Sequence, residues 1–343
     1  MPREEKEIPY LSRNKEIIKS KEKVAKRVIL WTINNLKFLI IPGSHTEDLI
    51  ERQKGYQLIL RKRGSLRRLK SPLFLLGFII IMLISTIAIF QDWVSPLTYL
   101  ETITYTGIEQ YYQSYFPPSP QHPLGQTFAG YDILGRLIYA TRPVLLFALI
   151  STLIAILLGV VFGALSGYYE GWMDAIIMRG MDIVLSFPGV IFAIVFIVIL
   201  GKSFFILLII YGLIGMPYFA RLVRTNVLKE KDLPYVASGK VAGAKSFRII
   251  FRHILPNCTL PLIVAISFNI GRNILSLAVL GFLRYGGVGW IEWGLDISRA
   301  INSILKAPWA VFYPALMISL SVIGFLLVGD GLSENGFMGQ EVL

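Results

Sequence analysis

An arginine set in an apolar run is the first chemistry this sequence offers. Residues 258–282 are largely apolar, yet they carry Asn269, Arg272 and Asn273. Inside a membrane such an arginine costs at least about 2.5 kcal/mol at a helix centre, so it normally faces a cavity or a partner. Two readings stay open. Arg272 lines a path and meets an anionic or carboxylate-bearing solute, or it pairs with an acid of a neighbouring subunit. Other chemistries fail on spacing. Gly201-Lys202-Ser203 ends like a phosphate-binding loop, but that loop needs glycine five places before Gly201, where Phe196 stands. Cys258 is the sole cysteine, so no internal disulfide forms, and the three histidines are far apart with no metal-ligand spacing. Catalytic residues and metal ligands are therefore both read as none. GWIEWGLDISR (289–299) is aromatic and partly acidic. Its rings could stack on a sugar, but tryptophans are also ordinary membrane-interface anchors, which is the preferred reading.

A second stretch is mechanical rather than chemical. GKVAGAKSFRIIFRHILP (239–256) sits between two apolar runs and carries Lys240, Lys245, Arg248 and Arg252. Asp232 can cap a helix that has Pro234 in its first turn. That helix runs through Ala237, Ser238, Gly239, Ala242, Gly243 and Ala244, all small, and Gly243 is a natural stop. A second helix follows, with Phe247, Ile250, Phe251 and Ile254 as one apolar stripe and Lys245, Arg248 and Arg252 opposite. Pro256 ends it. The segment is either a basic loop held near lipid headgroups or two short helices whose small-residue corner fits into something else.

The elements around these residues come from composition. Of 343 residues, 54% are hydrophobic and 16% charged, and mean hydropathy is +0.60. That is a polytopic membrane protein of all-α class. Net charge is +12, but 18 of the 34 Lys and Arg lie in residues 1–70 and 8 more in 221–257. Such clustering sets membrane orientation, basic segments staying cytoplasmic, and needs no nucleic acid. Six spans are expected at 72–90, 143–166, 183–200, 204–220, 258–282 and 309–329, with both termini cytoplasmic. No Asp or Glu falls inside any of them, which argues against an ion-coupled secondary transporter. A membrane enzyme lacks its constellation. Gly159 and Gly163 permit close packing of the second span. The chain divides into a basic tail (1–71) with a possible interfacial helix at 28–41, the first span (72–90), an external loop (91–141), a core of five spans (142–332) with the internal segment 221–257, and a tail (333–343). The start is charged and unlike a signal peptide. The run RKRGSLRRLK (61–70) suits anionic lipid. FPPSPQHPLG (116–125) reads as an extended, proline-stiffened stretch.

Set together, these features resemble the permease subunits of ABC importers of the dipeptide and oligopeptide group. Their cytoplasmic signature is Glu-Ala-Ala, three residues, Gly, nine residues, an apolar residue, one more, then Leu-Pro. Gly243, Leu255 and Pro256 are in register, Ala237-Ser238-Gly239 replace the triplet, and His253 takes the apolar position. HPLG (122–125), GRLIYATR (135–142), GYYEGWMDAIIMRGMDIVLSFP (167–188), YFARLVR (218–224), APW (307–309) and GDGL (329–332) also match, so the resemblance covers about 72–332. It implies the type I importer permease fold and the plasma membrane of a prokaryote. The implied partners are a second, similar permease, two cytoplasmic ATP-binding subunits and an external substrate-binding protein. ATP and magnesium would be held by the ATPases and no cofactor by this chain. It further implies that Ala237, Ser238, Gly239, Lys240, Gly243, Ala244, Lys245, Leu255 and Pro256 belong to the coupling element that docks on an ATPase. The group also includes importers of oligosaccharides and of nickel. The family usually has a small residue at position 272 and a glutamate at 277, where this chain has Arg272 and Leu277.

Overall fold

The computed structural model describes residues 69, 71–103, 114–286 and 289–333. The expected interfacial helix at 28–41, the basic run at 61–70 and most of the C-terminal tail lie outside them. The described residues are helical and hold no strand. The long elements are α1 (Pro72–Ile89), α2 (Ile133–Tyr169), α3 (Gly171–Leu185), α4 (Gly189–Leu200), α5 (Phe204–Glu230), α6 (Pro234–Val241), α7 (Thr259–Phe282), α8 (Trp293–Ala300) and α9 (Trp309–Leu332). Five of them are long and apolar enough to cross a membrane: α1, α2, α5, α7 and α9. α3 and α4 are long and apolar enough only as a pair, bent by 84° at their break, which makes them one broken span or a re-entrant loop.

The expected spans are present, but three depart from their predicted outline. α2 begins ten residues before 143, because Asp132 caps it, its Oδ2 accepting the Gly135 N–H at 2.7 Å. Pro143 lies inside the helix rather than at its start. The expected third span is broken: α3 ends at Leu185, capped by Ser186, and Pro188 caps the start of α4. The predicted connection 167–182 is therefore largely helix. α5 runs ten residues past 220, carrying Arg221, Arg224 and Lys229 beyond the apolar window. FPPSPQHPLG stays free of helix as expected.

α2 and α5 form the largest helix interface, and small residues make it possible. A Cβ built on Gly163 would stand 2.4 Å from the Ala220 carbonyl oxygen, and one on Gly159 would stand 2.5 Å from Phe219 Cβ. Gly159 and Gly163 thus do what their spacing predicted. The end of the bundle opposite the 221–257 segment is tied by polar contacts. Arg136 of α2 grips Asp296 of α8 in a bidentate pair, Nε to Oδ2 at 2.9 Å and Nη2 to Oδ1 at 2.6 Å. Trp293 Nε1 donates to the Leu137 carbonyl at 3.2 Å, and Trp309 Nε1 to that of Gln126 at 3.3 Å. His122 Nδ1 lies 2.9 Å from Asp132 Oδ1. These are motif residues whose work here is to hold helices together.

Candidate functional site

The segment after α5 folds into a hairpin of two helical arms. Glu230 and Lys231 close α5, and α6 starts at Pro234. The predicted Asp232 cap is absent: Leu233 holds the cap position, with no side-chain hydrogen bond. Proline at the first helical position already fixes the backbone there and leaves one fewer N–H to satisfy. α6 ends as its small residues suggest. The Ala244 N–H bonds back to the Gly239 carbonyl and the Gly243 N–H to that of Lys240, both at 3.0 Å. This is a Schellman stop, with Gly243 left-handed at φ +73°.

The return arm differs from its predicted form. Ser246–Ile249 is one α-turn, Ile250–Ile254 a π-turn and Leu255–Cys258 a 3-10 turn, leading directly into α7. Pro256 therefore does not end the arm; it sits in the 3-10 turn, where no intrahelical N–H is needed. The wide π-turn also changes the stripe. Ile249, Ile250, Ile254 and Cys258 are buried against Val223, Val227 and Val236, whereas Phe247 is 71% and Phe251 41% exposed. The two phenylalanine rings stack on each other at 4.4 Å on the outside.

Hydrogen bonds and charges close the base of the hairpin. Tyr235 donates to Glu230 Oε2 at 2.6 Å, and Asn257 Nδ2 donates to the Tyr235 hydroxyl at 3.0 Å. Burial, then the Glu230 carboxylate, pushes the Tyr235 hydroxyl up to about 12, so it stays a donor at any physiological pH. Lys231 pairs with Glu170, and Lys240 lies 5.6 Å over the Tyr168 ring. Arg224 holds Asp174 of α3 through two bonds of 2.7 Å, and Arg221 holds Asp182 at 2.6 Å. Gly239 has Ile249 Cγ1 4.0 Å from where a Cβ would stand, so the alanine usual there would fit as well.

What the hairpin presents is its tip. Ala237, Ser238, Lys240, Gly243 and Lys245 are exposed, and Gly239 and Ala244 are half-buried. Val241 is 91% exposed. Among the described residues, no atom lies within 4 Å of a Cβ built on Gly243. Seven of the nine predicted coupling residues gather at this tip. Leu255 and Pro256 lie at the base, where they shape the entry into α7. Val241 and Phe247 are thus an exposed apolar patch rimmed by Lys240, Lys245 and Arg248.

The predicted path residues separate. Asn269 and Asn273 are each 2% exposed. Asn273 Nδ2 donates to Ser151 Oγ at 2.9 Å and Thr152 Oγ1 at 3.1 Å, and Thr152 Oγ1 donates to Asn269 Oδ1 at 3.0 Å. In this conformation they clamp α7 to α2. Spacing on α7 explains it: they share a face one turn apart, and Arg272 lies on another. Arg272 is exposed, its guanidinium 5.5 Å over the Tyr218 ring of α5.

Sequence reasoning missed Glu292. It is 1% exposed, and neither carboxylate oxygen has a hydrogen-bond partner. Burial first, then the Asp296 charge, raises its carboxyl well above the usual range. The signal was present, an acid between Trp290 and Trp293, but rings read as interface anchors gave no sign that the acid between them turns inward.

Comparison with known proteins gives the family of the chain. The family model described as "Binding-protein-dependent transport system inner membrane component" matches residues 159–335. The chain is 36% identical to the dipeptide transport system permease protein DppC of Alkalihalophilus pseudofirmus, over 77% of this chain and 85% of the relative. It is 38% identical to the DppC of Escherichia coli, over 75% and 86%. It is 36% identical to the glutathione transport system permease protein GsiD of Pectobacterium atrosepticum, over 63% and 72%. The chain belongs to the binding-protein-dependent transport system inner membrane component family, the multi-pass permease subunits of ABC importers.

Proposed function

We propose that this chain is one of two permease subunits of an ATP-driven importer of di- and oligopeptides, and that the tip Ala237–Lys245 docks on a partner ATPase. The second subunit is a similar permease, and each subunit takes one cytoplasmic ATPase. ATP and magnesium are bound there and not on this chain. A binding protein on the other side delivers cargo. The membrane is the plasma membrane of a prokaryote, lipid surrounds the apolar helix faces, and both termini are cytoplasmic. The observation that carries the docking reading is the open, left-handed Gly243 at the summit of the hairpin, with Val241 and Phe247 exposed beside it. The names of the relatives support a small peptide as cargo.

Closing of the two ATPases on ATP would move the docked tips together. The hairpin is tied to α5 by Tyr235, Glu230 and Asn257, and α5 to α3 by Arg221 and Arg224. The tip's displacement is therefore passed to the bundle as a rigid-body rotation. ATP acts by binding one state of the assembly better than the other.

The test is reconstitution of both permeases, both ATPases and the binding protein in vesicles. ATP-dependent uptake of a labelled di- or tripeptide is expected. Failure of the purified chain to associate with any ATPase subunit would sink the docking reading. Stimulation of ATP hydrolysis by an oligosaccharide or by nickel, with none by peptides, would keep the machine and change the cargo.

A further inference from the structure

The C-terminal half of α7 exposes Arg272, Leu275, Val279 and Phe282, and Arg272 meets Tyr218 of α5, a helix that also exposes Leu213. Within this apolar surface Arg272 is the sole charge on α7. It lies 13 residues into the helix, roughly 20 Å from its start at 1.5 Å per residue. Lipid phosphates sit about 15 Å from the membrane midplane, at its surfaces, so a mid-span guanidinium has none beside it. No acidic side chain among the described residues pairs with it. Glu292 is buried elsewhere, and Asp296 is held by Arg136. Its recorded side-chain contact is the face of Tyr218. A guanidinium seated 5.5 Å above a ring centroid has no hydrogen bond to that ring's hydroxyl recorded, and its N–H fork matches a carboxylate bidentately.

We infer that Arg272, seated on Tyr218, is an anion subsite on the substrate path that receives the terminal carboxylate of the transported peptide. The inference rests on the peptide-importer reading above and adds which end of the cargo this subunit meets. Cargo of the kinds named for the relatives, dipeptides and glutathione, carries such a carboxylate. An acid on the second permease is the competing occupant, and the experiment separates the two.

The full complex in vesicles is given a tripeptide with a free C-terminus or the same peptide as its C-terminal amide, with one binding protein throughout. Wild type is expected to take up the free acid about tenfold more efficiently than the amide. Arg272→Gln should lower uptake of the acid about tenfold and leave the amide little changed, bringing the ratio near one. Arg272→Lys, which keeps the charge but not the fork, should fall between. An acid-to-amide ratio unchanged in Arg272→Gln, with uptake intact, overturns the subsite alone. Loss of co-purification with the second permease in Arg272→Gln overturns it in favour of an ion pair between subunits. Uptake of neither peptide by wild type, while another solute stimulates ATP hydrolysis, overturns the peptide reading and the subsite with it.

Discussion

Gly243→Val is expected to abolish ATP-driven uptake, to below a tenth of wild type, while the helix bundle keeps its thermal midpoint. The backbone at Gly243 is left-handed, φ +73°. An L-residue there costs roughly 1–2 kcal/mol, and a β-branched one is a backbone outlier. Relief comes by unwinding the Schellman stop, which would release the two bonds from Gly243 and Ala244 to the end of α6. None of the described residues packs where the new side chain would stand, so the core has no reason to respond. The effect belongs to the tip and to whatever it meets. Gly243→Ala should give an intermediate loss. Uptake, ATP hydrolysis and ATPase co-purification are read together on one preparation. Wild-type uptake by Gly243→Val would mean that the corner's shape is irrelevant.

The second large effect is on stability, at the other end of the bundle. Arg136→Met leaves Asp296, 3% exposed, as a buried charge without its partner. Breaking a buried pair in this way costs about 3–5 kcal/mol, because the remaining charge is uncompensated. A sharp fall in yield and in melting temperature is expected. The double variant Arg136→Met with Asp296→Leu should recover most of the loss, because an apolar pair of similar volume is often as stable as the ions it replaces. The readout is the thermal transition of the detergent-purified chain by intrinsic fluorescence. Equal stability of the single and double variants would contradict the account of this tie.

Much of this was legible because lipid is a demanding solvent. Apolar length located the helices, and glycines four apart marked the tight α2–α5 crossing, since only they let the Ala220 carbonyl come so near. The stop at Gly243 was readable for a similarly local reason: small residues leading to a glycine specify a left-handed cap. What was not legible depends on partners far along the chain. Arg136 falls in the stretch expected as the external loop 91–141, and only the fold brings Asp296, 160 residues away, to its fork. Ile249 and Phe251 exchanged expected roles because a π-turn has a wider pitch than the α-helical spacing used to read the stripe. Pro143 and Pro188 show the same limit. One is absorbed inside α2 and the other breaks a span by 84°, and the difference lies in surrounding contacts that no local pattern records. Asn269 and Asn273 were chosen for polarity within an apolar run, but polarity there serves helix clamping as readily as transport.

The central claim is that the hairpin tip is the contact with an ATPase. Val241 sits at that tip, 91% exposed, and the native Cys258 is buried, so a cysteine introduced at position 241 is the thiol a reagent can reach. In the assembled complex, Val241→Cys should cross-link through a short bifunctional reagent to an ATPase subunit, with a yield that changes when ATP is added. Phe205→Cys, at the far end of α5 and also exposed at 74%, should give no such product. Absence of the Val241 cross-link in a complex that still imports peptide, or an equal one from Phe205, would contradict the account.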